Sequence, residues 1–214
     1  MISIIDYGMG NLRSVSKALE SVGAKVKVTN NPKDIVSAEA IVLPGVGAFC
    51  RGMENLEQSG LSPAILESIK NNKPFLGICL GLQLLFTESE EHGISKGLDV
   101  IKGRVKKFSP GVKIPHMGWN NIKSNIKNQK SKIGNEKLKI LEDIPDGSYF
   151  YFVHSYYVQP EDKDTIIATT FYGKEFVSAI NKDNIWGVQF HPEKSSDLGL
   201  KILKNFVDLT RAQC

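Results

Sequence analysis

The sequence predicts an α/β fold with a central, mostly parallel β-sheet flanked by helices and with antiparallel strands added in the C-terminal half. Before residue 88, short apolar segments alternate with segments of helical period, as in strands joined by crossover helices. After residue 92, strand-like segments follow one another without comparable helices, which is typical of hairpins. The 214 residues suffice for one layered core. We therefore expect a single domain over residues 1–214.

The N-terminal half predicts strands and helices in alternation. Residues 12–22 carry Leu12, Val15 and Leu19 on one helical face, and this helix ends at Gly23. The other elements predicted here are strands at residues 2–5, 25–29, 40–43 and 74–78, a brief helix that opens at residues 31–32, a helix at 62–71, and helical spacing of apolar residues over 82–86.

The C-terminal half predicts hairpins and one closing helix. A polar loop at residues 88–92 separates it from the parallel core, and residues 198–209 form an amphipathic helix. Residues 123–139 are rich in Lys and Asn with little apolar periodicity, which predicts a mobile surface loop. The strand-like segments are residues 100–108, 114–122, 148–158, 165–171 and 175–180.

Composition excludes several classes of function. The net charge of +4 is mild, and the lysines lack interleaved arginine and aromatic residues, so nucleic-acid binding is weakly supported. The four histidines and three cysteines form no metal-ligand spacing, and the glycines near residue 8 lack the spacing of a dinucleotide fingerprint. We therefore expect no metal and no cofactor. An odd cysteine count, no signal peptide and no membrane-length apolar run predict a soluble cytoplasmic protein that binds no membrane.

The segment around Cys79 predicts an exposed nucleophile. An apolar strand, residues 74–78, runs through Gly77 and Cys79 to Gly81 and into a segment of helical spacing. A cysteine at such a sharp turn is strained and accessible, and a helix that begins after it favours the thiolate. Taken alone, Cys79 is better explained as a small buried apolar residue at the end of a strand.

The far end of the chain supplies the partners that a nucleophile needs. His191 follows an apolar strand-like segment, and Glu193 lies two residues further on. Residues two apart in extended chain point the same way, so the carboxylate can reach the imidazole and fix its tautomer. Alone, this segment is a polar turn; together with Cys79 it predicts a catalytic triad of Cys79, His191 and Glu193.

These motifs resemble those of the class I, or triad, glutamine amidotransferases. Four further stretches are similar, more narrowly, to the glutaminase subunits of imidazole glycerol phosphate synthases, and together they cover nearly the whole chain. They are residues 6–12 (DYGMGNL), 43–49 (LPGVGAF), 115–120 (PHMGWN) and 151–157 (YFVHSYY).

The resemblance implies roles for residues around the triad. Backbone N–H groups of Leu80 and of Val46 or Gly47 would form the oxyanion hole, and the strand at 44–47 would need to reorient before it donates. From spacing alone that stretch is equally a plain turn. Gln83 would hold the amino-acid end of glutamine, where an exposed helical glutamine is the alternative. The segment His154, Ser155 and Tyr156 would line the pocket, where a hydrogen-bonded strand corner is the alternative.

The resemblance also implies a partner and a pathway. A (β/α)8 cyclase subunit would form a heterodimer with this chain, receive ammonia from L-glutamine, and make imidazole glycerol phosphate and aminoimidazole carboxamide ribotide. The contact face would carry Asn11, Met117, Trp119 and Asn120, although a tryptophan in such a run is often core.

Two alternatives remain open at this stage. A glutaminase of the same subfamily could serve another acceptor, such as a sugar of a surface polysaccharide. A non-catalytic scaffold could retain the fold, although the presence of all three triad residues argues against it. Cys50 and Cys214 have no assigned role.

Overall fold

The computed structural model describes residues 1–124 and 135–212. The helices are α1 Leu12–Ser21, α2 Pro32–Ser37, α3 Phe49–Gln58, α4 Leu61–Lys70, α5 Leu80–Gln83 and α6 Ser196–Ala212. The strands are β1 Ile2–Ile5, β2 Val26–Thr29, β3 Ala40–Leu43, β4 Phe75–Ile78, β5 Phe86–Ser89, β6 Ser95–Lys96, β7 Ile101–Lys107, β8 His116–Asn121, β9 Lys123–Ser124, β10 Tyr149–His154, β11 Tyr156–Pro160, β12 Ile166–Tyr172, β13 Lys174–Lys182 and β14 Ile185–Val188.

In the part of the chain that the structure describes, the central sheet has eight strands in the order β2-β1-β3-β4-β14-β13-β12-β9. The five strands from β2 to β14 pair in parallel, and the remaining three pair antiparallel. The predicted fold class, a mostly parallel sheet with added antiparallel strands, is confirmed. The expectation of purely antiparallel additions needs one amendment, because β5 and β7 pair in parallel in a separate four-stranded sheet, β11-β7-β5-β6.

Strand alternation divides the apolar residues between two layers. In β1, Ile2 and Ile4 face one core cluster and Ile5 faces the other. The first cluster packs under α1 and α6, and the second under α2, α3, α4 and α5. Strands β1, β3, β4 and β14 are buried along their whole length, which explains why they read as continuous apolar runs.

The helix predicted after Cys79 is shorter than its spacing suggested. It ends after one turn, and Phe86 begins strand β5. Leu84, Leu85 and Phe86 are all fully buried, and a short apolar run buried on every side has no period that separates helix from strand. The predicted polar loop at 88–92 was wrong in its first two residues, since Glu88 and Ser89 belong to β5.

Three other elements differ from their predictions. Residues 148–158 form two strands in different sheets, with the break at Ser155. Helix α3 was not predicted, although Phe49, Met53 and Leu56 have helical spacing and are buried. The loop predicted at 123–139 begins with strand β9 and ends in a 3-10 helix, Asn135–Leu141; the rest of that prediction, 125–134, lies outside the described residues. Within the described ranges, no helix has both the length and the apolar character required to cross a bilayer.

Candidate active site

The sheet order brings the predicted catalytic segments together. Strands β3, β4 and β14 are parallel neighbours, so their carboxyl ends lie side by side at one edge. Residues 44–47 follow β3, Cys79 follows β4, and His191 lies shortly after β14. The Cys79 N–H donates to the Val188 carbonyl at 2.8 Å, which fixes the sulfur-bearing turn against the segment that carries His191.

Cys79 sits in a strained turn. Its φ is +54°, a conformation that costs a non-glycine residue about 1–3 kcal/mol and persists where the surroundings enforce it. Gly81 makes the turn possible, because a side chain there would collide with the Leu43 carbonyl oxygen. Helix α5 begins after Cys79 but has only four residues, so its dipole stabilises a thiolate less than the sequence predicts.

His191 and Glu193 form a buried pair. The imidazole Nδ1 lies 2.9 Å from Glu193 Oε1, and the two side chains are only 2% and 1% exposed. The sequence predicted an extended link, but Pro192–Lys194 is a turn of 3-10 helix that Pro192 opens, and the carboxylate reaches back across this turn. The His191 backbone N–H donates to the Tyr151 carbonyl at 2.9 Å, which holds the main chain of His191 in place.

The electrostatic environment favours a charged His191. Burial by itself would lower the pKa of the imidazole, but interaction with the Cys79 sulfur and then with Glu193 outweighs burial and raises the pKa to about 10. Among the described residues, Nε2 has no hydrogen-bond partner, and the effect of Cys79 on the pKa of the ring indicates that the sulfur lies nearby. An imidazolium between a sulfur and a carboxylate is the arrangement that proton transfer during acyl exchange requires.

A glutamine that the sequence analysis missed contacts the sulfur. Gln189 is fully buried, and its Nε2 donates to Cys79 Sγ at 3.7 Å. On the other side, Sγ lies 3.8 Å from the Val153 carbonyl oxygen, which accepts a hydrogen bond from a protonated thiol. The available signal was position, since residues 189 and 191 lie two apart and therefore share a direction in extended chain.

The predicted oxyanion hole is occupied by protein. The Leu80 N–H, one of the predicted donors, donates to the Gly45 carbonyl at 3.4 Å. Gly47 has a φ of +100°, a left-handed conformation suited to glycine. Val46 is 40% exposed. An oxygen of the backbone thus occupies the place that the prediction gives to a substrate oxyanion.

A cleft of about 270 Å³ opens beside this strand. It is lined by Gly47, Gln83, Glu91, Pro115, Val153, His154, Ser155 and Tyr156. The structure therefore brings the predicted glutamine-binding residues to one cavity. Gln83 does not lie exposed on a helix: it is buried and its Nε2 donates to the Tyr156 carbonyl at 3.0 Å.

Glu91 is a second residue that the sequence analysis missed. Its carboxylate accepts a hydrogen bond from the Phe49 N–H at 2.6 Å, at the start of α3. Burial, followed by the charge of Glu91, raises the pKa of the Tyr156 hydroxyl, which places the carboxylate close to the predicted pocket segment. A carboxylate here offers a counter-charge to the α-ammonium of an amino acid.

The residues predicted to contact a partner fall into two groups. Met117 and Trp119 are 63% and 52% exposed on β8, so the alternative that Trp119 belongs to the core was wrong. Trp119 pairs with Tyr151 of β10, and their rings are 6.4 Å apart. Asn120 is half-buried and hydrogen-bonded inwards, and Asn11 caps α1 by accepting from the Ser14 N–H at 3.3 Å.

Within residues 1–124 and 135–212, no group of three His, Cys, Asp or Glu side chains is arranged so that it could hold a metal ion. Cys50 on α3 is a half-buried free thiol, and Cys214 lies outside the described residues.

Comparisons with known proteins agree with this geometry. Residues 3–209 match the family "Glutamine amidotransferase class-I". The chain is 51% identical to imidazole glycerol phosphate synthase subunit HisH of Moorella thermoacetica, over 98% of this chain and 95% of that one. It is also 51% identical to the HisH subunit of Methanocaldococcus jannaschii, over 98% of this chain and the whole of the relative.

Solved structures share the fold at low sequence identity. A crystal structure of a glutamine amidotransferase aligns with a TM-score of 0.74 at 14% identity, covering 98% of each chain. The structure of PurLQS from Thermotoga maritima aligns with a TM-score of 0.72 at 18% identity, covering 97% of each chain. These likenesses establish the architecture.

Proposed function

Because the chain belongs to the class-I glutamine amidotransferases, and within them to the HisH subunits of imidazole glycerol phosphate synthase, we propose a mechanism with Cys79 as nucleophile. The chain hydrolyses L-glutamine as the glutaminase subunit that serves histidine biosynthesis. In the proposal, His191 is the general acid and base, and Glu193 orients it. The observation that carries this assignment is the burial of the His191–Glu193 pair beside the Cys79 sulfur.

The proposed reaction needs only the triad residues, glutamine and water. The sulfur attacks the side-chain amide carbon of glutamine, and the carbonyl oxygen becomes negative in a tetrahedral intermediate. His191 gives its proton to the amide nitrogen, the C–N bond breaks, and ammonia leaves a thioester on Cys79. Water then loses a proton to His191 and attacks the thioester carbon, and glutamate leaves as the sulfur regains its electron pair.

Activity requires a change at the oxyanion strand. Rotation of the Gly45–Val46 peptide would withdraw the Gly45 carbonyl from the Leu80 N–H and turn the Val46 N–H towards the same point. Two donors would then face the developing oxyanion, and each is worth about 3 kcal/mol in comparable sites. The resting contact of 3.4 Å between Leu80 N and Gly45 O supports this proposal, because it is long and readily exchanged.

The cleft beside the sulfur accounts for recognition of glutamine. Glu91 would pair with the substrate's α-ammonium, and Gln83 and the backbone of residues 154–156 would hold the rest of the amino-acid end. The side-chain amide would then extend towards Cys79, past Val153, whose carbonyl lies 3.8 Å from the sulfur. The support is the shared lining of one cavity by these groups.

Ammonia is the product that determines the need for a partner. Near neutral pH most ammonia is protonated and is a poor nucleophile, so direct passage to a second site is an advantage. We propose a heterodimer with a (β/α)8 cyclase subunit, in which Met117 and Trp119 contact the mouth of the barrel together with Asn11 and Asn120. The exposed aromatic and thioether side chains on β8 support this, since such residues are enriched at the centres of interfaces. The products of that subunit would be imidazole glycerol phosphate and aminoimidazole carboxamide ribotide.

Compartment and domain organisation follow as proposals. A thiol nucleophile must stay reduced, and both described cysteines are free, which supports a cytoplasmic location. We propose that residues 1–214 form one domain, because β14, from the C-terminal part of the chain, lies in the middle of the same sheet as β1.

Glutamate release should rise by about 10²–10³-fold when the cyclase and its nucleotide are added, because rotation of the 44–47 strand supplies a missing oxyanion donor. The measurement compares the chain alone, with the cyclase, and with cyclase plus nucleotide.

Trp119→Ala should weaken the complex by about 2 kcal/mol, roughly 30-fold in Kd. Leu66→Ala, at a similarly exposed apolar residue on α4, is the matched control and should leave Kd unchanged.

Equal turnover with and without the partner would contradict this coupling.

A complementation experiment distinguishes the histidine-pathway acceptor from a different acceptor, such as a sugar of a surface polysaccharide. The chain should restore growth to a histidine auxotroph that lacks this subunit, and failure to do so with the matching cyclase present would favour the other acceptor.

A further inference from the structure

A line of hydrogen bonds begins at Asn120 and passes through two buried histidines. Asn120 Nδ2 lies 3.2 Å from His116 Nε2, and His116 Nδ1 lies 3.0 Å from His154 Nε2. His154 Nδ1 lies 2.8 Å from the Tyr156 carbonyl oxygen. Asn120 Nδ2 also donates to the Phe171 carbonyl at 3.0 Å, and this second bond fixes the orientation of the Asn120 amide. Each of these contacts has ordinary hydrogen-bond length.

The position of every proton in this line follows from its two ends. The Tyr156 carbonyl can only accept, so His154 carries its proton on Nδ1 and accepts at Nε2. His116 must therefore donate from Nδ1 and accept at Nε2, where Asn120 offers an N–H. Starting from Asn120 gives the same assignment, because its NH₂ group faces two acceptors. The line is thus ordered from both ends, and neither ring has room for a second proton.

The line continues from the Tyr156 carbonyl to the nucleophile. Gln83 Nε2 donates to the same carbonyl at 3.0 Å and to Gln189 Oε1 at 3.2 Å. Gln189 Nε2 in turn donates to Cys79 Sγ at 3.7 Å. Because Gln189 Oε1 accepts the hydrogen bond from Gln83, the NH₂ group of Gln189 is the end of its amide that faces the sulfur. The sulfur is the acceptor in this last bond, and a charged thiolate accepts more strongly than a neutral thiol.

We propose that Asn120, His116 and His154 are positioning residues that hold the Tyr156 carbonyl and, through Gln83, orient the Gln189 amide so that it presents an N–H to the Cys79 sulfur. The proposal rests on the assignment of Cys79 as nucleophile and adds residues that never touch glutamine's reacting amide. It also connects β8, whose outer side chains are exposed, with the sulfur through six side-chain or backbone groups in continuous contact.

The surroundings keep the two rings neutral. His116 stacks on Tyr172 at 4.1 Å, and Phe108, Phe152 and Phe176 surround both histidines. The titratable groups that act on the pair from neighbouring elements are Tyr172, which stacks on His116, and His191, whose charge acts on His154. Burial lowers the pKa of His154 to about 3 and that of His116 to about 4. A neutral, singly protonated state of both rings is the one that the line requires.

Nitrogen-15 NMR of histidine-labelled chain tests the proton positions directly. At pH 7, His116 and His154 should both carry the proton on Nδ1, which is the minor tautomer of a free imidazole. Finding the proton on Nε2 in either ring, or a doubly protonated ring, overturns the ordering. This result does not depend on catalysis, so it is separate from the assignment of Cys79.

Asn120→Asp tests whether the order reaches the sulfur. A carboxylate offers no donor to His116 Nε2, so the line must break or take up an extra proton. We expect alkylation of Cys79 by iodoacetamide, with the chain alone and no glutamine, to slow by about tenfold, equivalent to roughly 1.4 kcal/mol. The glutaminase kcat in the cyclase complex should fall by the same factor. A defect confined to the glutamine pocket would instead raise KM and leave alkylation unchanged, which would count against the proposal.

Two further variants control for charge and packing. Asn121→Asp places the same charge on the next residue of β8, where the side chain points to the opposite side of the strand, and should leave the alkylation rate of Cys79 unchanged. Asn120→Leu removes the donor without adding charge, and should slow alkylation less than Asn120→Asp does. Equal rates for wild type and Asn120→Asp, with altered histidine protonation, would show that the line ends before the sulfur and would overturn the proposal.

Discussion

Replacing Cys79 by alanine should reduce glutamate release by at least about 10⁴-fold, the largest effect expected of any single substitution in this chain. In the proposed mechanism the sulfur forms the covalent bond to the substrate, and no other group replaces it beside the His191–Glu193 pair. The surroundings should tolerate the change, because alanine keeps the elbow's Cβ and only the sulfur is lost. The measurement is the steady-state rate of glutamate release in the complex with the cyclase, where the wild-type rate is highest.

Cys50→Ser is the matched control for the cysteine variant. Cys50 is a half-buried free thiol on α3, outside the cleft, and its loss should leave the rate within about twofold of wild type. A Cys79→Ala chain that hydrolyses glutamine at the normal rate would refute the thioester mechanism. Loss of activity in the control as well would point instead to general sensitivity of the fold to thiol replacement.

Replacing Glu193 by glutamine should lower kcat by about 10²–10⁴-fold, with little effect on the folded structure. The amide keeps the size of the carboxylate but cannot stabilise the imidazolium, and it can bind the ring in the wrong tautomer. Because Glu193 is among the groups that raise the pKa of His191, this pKa should fall in the variant. The direction is measurable by histidine NMR titration, alongside kcat.

Glu161→Gln serves as the control for this change. Glu161 is exposed on the surface, so the same substitution there removes a charge without touching the site. Its kcat and the His191 titration should match those of the wild type. A Glu193→Gln chain with normal kcat and an unchanged His191 titration would remove Glu193 from the mechanism.

The parts of the site that the sequence predicts well are those with a local signal. Cys79 stands between glycines at the join of a strand and a helix, and His191 is followed two residues later by Glu193. Parallel strands then bring the two segments to one edge, because β4 and β14 are neighbours in the sheet. Neither element alone predicts chemistry, but the two together do.

The parts that the sequence does not predict depend on contacts between distant residues. Gln189 and Glu91 are polar residues without a distinctive local pattern, and their roles follow from what folds against them. The contact of the Gly45 carbonyl with the Leu80 N–H depends on the orientation of one peptide, which no side-chain pattern encodes. Similarly, Phe86 begins a strand because it is buried on all sides, and burial of that kind erases the periodicity on which a helix is predicted.

Labelling with an electrophilic glutamine analogue tests the proposed nucleophile most directly. Incubation of the complex with a diazoketone analogue of glutamine, followed by peptide mass spectrometry, should show one equivalent bound at Cys79, in step with the loss of glutaminase activity. Excess L-glutamine should slow both. Complete inactivation with Cys79 unmodified and the label on another residue would contradict the account.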